Sequence, residues 1–143
     1  VGFLFKEIFM SGFLNPIRAE DAGDGYHRRL LENVVYHVGR PGSKDRIIVP
    51  KGFEWDGGSV PRIFWTIVDP WGPASKAYLL HDWLYYTHDR SRLVSDAILM
   101  EAMEVLGVHW FKRKLIYKAV RAGGWLPWSR REKELKKMNR KRE

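Results

Sequence analysis

The chain has 143 residues, 45% of them hydrophobic, with seven Trp and no Cys. It therefore has room for one hydrophobic core, and a disulfide framework, a thiolate metal site and a Cys nucleophile are excluded. The formal charge of +8 is concentrated at one end: residues 111–143 carry 13 Lys or Arg against 3 Glu, whereas residues 1–110 carry 12 against 14.

Residues 1–13 open with an apolar run that Lys6 and Glu7 interrupt. It is too short to span a bilayer, and it has neither a basic n-region before it nor a small-residue cleavage site after it. No signal peptide and no transmembrane segment are expected. Val1, Leu4, Phe5, Ile8 and Phe9 fall at helical spacing, which predicts a short amphipathic arm. A single globular domain is expected over residues 14–128, followed by a basic helical tail over 129–143.

Residues 30–38 are rich in β-branched side chains, residues 39–45 contain Gly, Pro and Ser, and residues 46–49 form a second apolar run. This pattern predicts a hairpin. The tight Asp56-Gly57-Gly58 segment follows, where two glycines permit a close backbone approach. Ser59 ahead of Pro61 reads as a helix N-cap, giving a short helix over 61–67.

Helical periodicity then covers residues 74–87, 91–106 and 110–121. Gly107 closes the second of these helices, and Gly123 with Gly124 stops the third. In the third, Phe111, Leu115, Ile116, Ala119 and Val120 are expected to face inward. Ser129 with Glu132 forms a capping box, so a last helix is expected over 130–140, projecting from the body because it has only Leu135 and Met138 as apolar contacts. The fold class is α+β: a small N-terminal antiparallel β unit followed by three to four packed helices.

The candidate chemistry lies in Asp56, His81, Asp82 and Asp96. Two acids and a His gathered near a Gly-Gly turn carry a desolvation penalty that a purely structural core avoids. The same residues also suit a structural role, in which Asp56 caps the turn and His81 bridges two helices. A zinc site using His81 and His88 is excluded, because seven helical residues separate them by roughly 10 Å, and His88 is expected at the surface. Ser59 lacks the G-x-S-x-G setting of a nucleophile elbow. No phosphate-binding loop or dinucleotide fingerprint is present.

Several motifs carry a family resemblance: Val49-Pro50-Lys51-Gly52-Phe53, Asp56-Gly57-Gly58-Ser59-Val60-Pro61-Arg62, His81-Asp82-Trp83-Leu84-Tyr85, and Arg92 with Asp96. Together they resemble the phage-associated domain of unknown function 1353, and the resemblance implies a phage or prophage origin. It adds Ser59, Arg62 and Tyr85 to the site. His81-Asp82 with Tyr85 one turn on is also similar to the His-Asp-x-x-Tyr helix of A2-type phospholipases. That likeness implies a water-activating His81, a calcium-holding Asp82 and an Asp96 that orients His81.

Two functions are expected from these features. One is a phage accessory hydrolase acting on a cell-envelope lipid or peptidoglycan, with His81 and Asp96 catalytic and with Asp82 and Asp56 holding a divalent cation such as calcium. The other is a non-enzymatic virion or tail component that docks on phage structural proteins through its arm and tail. In either case Arg130, Arg131, Lys133, Lys136, Lys137 and Arg140 are the expected contacts to nucleic acid, an anionic surface or a partner. The setting is the host cytoplasm or the assembled virion.

Overall fold

A computed structural model describes residues 12–56, 69 and 72–143. Most of the expected arm and the expected helix over 61–67, with Ser59 and Arg62, lie outside the described residues. The strands are β1 (Ala19–Asp21), β2 (Arg28–Leu30), β3 (Val34–His37), β4 (Arg46–Val49) and β5 (Glu54–Trp55). The helices that follow are α1 (Ser75–Thr87), α2 (Arg92–Val105), α3 (Trp110–Gly123) and α4 (Trp125–Arg140). The arrangement is α+β.

β3 and β4 form the expected antiparallel hairpin, with Val34 opposite Val49 and Tyr36 opposite Ile47. The period of two places Val34, Tyr36, Ile47 and Val49 in the core and leaves Ile48 exposed. Residue 30 does not belong to this hairpin. It ends β2, which pairs with β1 on one side and β5 on the other in a second, three-stranded sheet. Three-residue strands have too little alternation to stand out in a sequence.

The helices complete the core. Ala77, Leu80 and Leu84 of α1 meet Ile98, Leu99, Ala102 and Met103 of α2 in one buried cluster with the hairpin. Ser91 caps α2 by accepting from the Val94 amide over 3.2 Å. At its other end Gly107 takes φ +75, the Val108 amide reaches the Met103 carbonyl and the Gly107 amide reaches Glu104. This pattern is a Schellman closure, and the positive φ is why Gly stands there. Short connections after α1 and α2 force neighbouring helices to run side by side.

Two helical expectations are corrected. In α3 only Ile116 of the expected inward residues is buried and Val120 half-buried, whereas Phe111, Leu115 and Ala119 face solvent. The inward arc of α3 is narrower than its apolar content and also takes in Arg113 and Arg121, whose side chains hydrogen-bond inward. The last helix begins at Trp125 rather than near 130, with Pro127 in its first turn, where the missing amide has no intrahelical partner to lose. Its first half packs rather than projects. Trp128 stacks on His88 at 3.5 Å and meets the edge of the Tyr85 ring at 5.1 Å, and the Arg131 guanidinium lies 3.9 Å above Tyr86. His88 is correspondingly not a simple surface residue, since burial holds its pKa below the ordinary value.

The helical layer is tied to the hairpin by a polar bridge. Glu101 of α2 accepts from the Tyr36 hydroxyl over 2.6 Å and from the Gly39 amide over 2.8 Å. Glu101→Leu removes both bonds and strands the fully buried Tyr36 hydroxyl. Urea unfolding should register a loss of about 1–3 kcal/mol; Tyr36→Phe, which leaves a carboxylate able to reach water, should lose less.

Candidate active site

The site is built on one face of α1. His81 and Tyr85 are four residues apart and so lie one above the other along the helix. α2 runs alongside and brings Asp96 between them. The Asp96 side chain is fully buried, and its two oxygens are shared out. Oδ1 lies 2.7 Å from His81 Nε2 and accepts from the Tyr85 hydroxyl, also over 2.7 Å. Oδ2 accepts from Arg121 Nη1 of α3 over 2.6 Å and lies 3.5 Å from Arg92 Nη1 one helical turn back. Arg92 also donates to the carbonyls of Val120 and Arg121 at the end of α3, so it joins α2 to α3.

The electrostatics follow from this placement. Burial pushes the Asp96 carboxyl up, but the bonds from His81, Tyr85 and Arg121 outweigh it, and the group is held below the ordinary value of 3.8. The Tyr85 hydroxyl is pushed up by burial and further by its bond to Asp96, so it stays a donor. The Asp96 hydrogen bond likewise holds Arg121 in its charged form. With Asp96 ionised and accepting, the proton of their bond sits on His81 Nε2. His81 itself is 6% exposed.

The backbone also comes close to this centre. A Cβ on Gly124 would stand 2.5 Å from the Tyr85 hydroxyl and would also strike the Val120 carbonyl. Only Gly lets the α3–α4 junction close over the buried carboxylate.

The other expected site residues are distributed around this centre. Asp82 is half-buried and points about 100° around α1 from His81. Asp56 follows β5. Its charge acts on His27, which Asp24 raises above its usual value by a hydrogen bond, with Asp56 and Glu54 adding to the effect. Of the tail cations, Arg131 is committed within the chain, donating to the Tyr86 carbonyl over 2.8 Å and pairing with Glu134. Arg130, Lys133, Lys137 and Arg140 are exposed, and Lys136 lies 3.7 Å from Glu132.

Arg121 was not among the expected site residues. Its signal in the sequence is its phase, four residues after Tyr117 and next to Val120, at the margin of the packed side of α3.

The family model described as "Protein of unknown function (DUF1353)" matches residues 28–120. The chain belongs to that family. The DUF1353 match takes in His81, Tyr85, Arg92 and Asp96, and Arg121 stands one residue beyond it. The chain is also 35% identical over 80 residues to "Uncharacterized protein y4jT" of Sinorhizobium fredii (strain NBRC 101917 / NGR234), a stretch that covers 53% of this chain and 23% of that protein. No solved structure gives a significant match.

The depressed Asp96 pKa gives this DUF1353 domain a defined acid sensitivity. The stabilisation is whole above the unfolded value near 3.8 and is lost as the pH falls through the lower folded value. Asp96→Asn should lower stability at neutral pH by about 3 kcal/mol, the low end for breaking a buried pair, because both arginines reach solvent. It should also flatten the fall in stability between about pH 5 and about pH 2, as read by urea unfolding at each pH.

Proposed function

We propose that this DUF1353 domain is a hydrolase, a phage or prophage accessory enzyme acting on a cell-envelope lipid or peptidoglycan, in which His81 takes the proton of an attacking water. The observation that carries the reading is the 2.7 Å contact between His81 Nε2 and Asp96 Oδ1. A carboxylate kept ionised by Arg121 fixes the tautomer, so the basic nitrogen is Nδ1. Asp96 does not itself take the proton. It compensates the imidazolium that forms when His81 does, as the buried carboxylate of a His-containing triad does. Tyr85 holds the second lone pair of Oδ1 and so limits how the carboxylate can turn.

Asp82 and Asp56 are the residues we assign to a hard divalent cation such as calcium, since carboxylates are the donors such an ion takes. Among the described residues no group of three or more His, Cys, Asp or Glu converges to hold a metal ion. The proton transfer is accordingly derived from His81 and Asp96 alone. A bound cation would supply charge stabilisation for the developing oxyanion. Calcium added to the full chain should raise its melting temperature, and Asp82→Asn should abolish the increase.

The decisive variant is His81→Gln, whose amide nitrogen can still donate to Asp96 but cannot act as a base. Released fatty acid from phospholipid vesicles, or soluble fragments from purified peptidoglycan, reports turnover. The variant should lose about 10²- to 10⁴-fold in rate while melting close to the parent. Failure of the parent to cleave either substrate, or full activity in His81→Gln, would assign the Asp96 network to structure and leave the virion-component role.

A further inference from the structure

We propose that the outer face of α3, extended by the first turn of α4, is a docking surface for an anionic lipid bilayer. This inference does not depend on His81 being catalytic. Among the described residues, α3 carries an exposed apolar stripe. Phe111 is 60% exposed, Leu115 is exposed four residues on, and Trp110, at 55%, borders them. Gly124 joins α3 to α4 at φ −69 and ψ −15. Trp125, at 57% exposed, and Leu126 add exposed apolar surface at the start of α4.

The charge around this stripe has one sign. Lys114 and Lys118 are exposed on the same arc, with the Lys114 ammonium 5.4 Å from the Trp110 ring centroid. No Asp or Glu occurs between residues 105 and 131. A nucleic-acid backbone would use the lysines but would leave the large apolar side chains in water. An anionic bilayer uses both. Trp rings settle at the headgroup level, apolar side chains enter the acyl boundary, and lysine stems reach back to the phosphates. The stripe is also a ridge on a helix rather than a groove, which suits a fluid surface more than a preformed partner.

The test is co-sedimentation of the full chain with vesicles of phosphatidylglycerol and phosphatidylcholine, compared with phosphatidylcholine alone. Binding is expected only to the anionic vesicles and should weaken as salt is raised. Lys114→Gln and Lys118→Gln should each weaken it about five-fold. Phe111→Ser combined with Leu115→Ser, at exposed positions that the core does not need, should weaken it by more than about ten-fold.

His81→Gln should bind like the parent, so loss of turnover and loss of docking are read separately. Equal binding to neutral and anionic vesicles, or parent-like binding by the double Ser variant, would overturn the proposal. So would a dimer of the parent that the double Ser variant dissociates, because a second copy would then be the occupant of the stripe.

Discussion

A carboxylate with no exposed surface imposes conditions on everything packed around it. In water, Asp96 would be solvated on both oxygens; inside this domain each of those bonds has to be replaced by a protein donor. The replacements come from three helices. α1 supplies His81 and Tyr85, α2 supplies Arg92 from the turn before, and α3 supplies Arg121. The positions of these helices relative to one another are therefore set by a polar centre as well as by the apolar seam of Leu80, Leu84 and Leu99. Gly124 belongs to the same constraint, since any side chain there would collide with the Tyr85 hydroxyl.

Such a centre is not the most economical way to hold helices together. Apolar side chains of similar volume do the same work without taking charge out of water, and buried ion pairs replaced by them often leave stability unchanged or higher. What the polar arrangement adds is a carboxylate that stays ionised although buried, with a histidine held against it. His27, by contrast, pairs with Asp24 at the surface, and His109 caps α3.

Away from this centre the molecule divides its labour. The hairpin contributes core surface and is fastened to α2 by Glu101, while the three-stranded sheet presents charged pairs such as Arg29 with Glu20 and Glu54, which contribute little in solvent. The basic C-terminal region divides as well. The first half of α4 is used inside the fold, through Trp128 and Arg131, and the rest extends a positively charged surface. The exposed stripe on α3 lies between these two uses, on a helix whose packed margin reaches the buried carboxylate through Arg121.

The sequence by itself determined the α+β class, the β3–β4 hairpin, the spans of the first three helices and the Schellman end of α2. Each rests on a local rule: alternation, helical periodicity, or the demand for a residue that accepts positive φ. It also singled out His81 and Asp96, because adjacent helices joined by a short turn bring a fixed pair of faces together, whereas Tyr85 entered through the family resemblance. Tertiary structure alone decided the rest. Phe111 and Leu115 satisfy the helical apolar pattern as well as Ile116 does, and only the position of α3 against α2 determines which of them is covered. Trp128 and Arg131 carry no local signal that His88 and Tyr86 await them, since those partners lie about 40 residues back in the chain. Arg121 looks like another solvated cation until its helix is laid beside a buried carboxylate. Periodicity fixes which residues share a face, whereas the choice of which face is buried belongs to the packing of the whole chain.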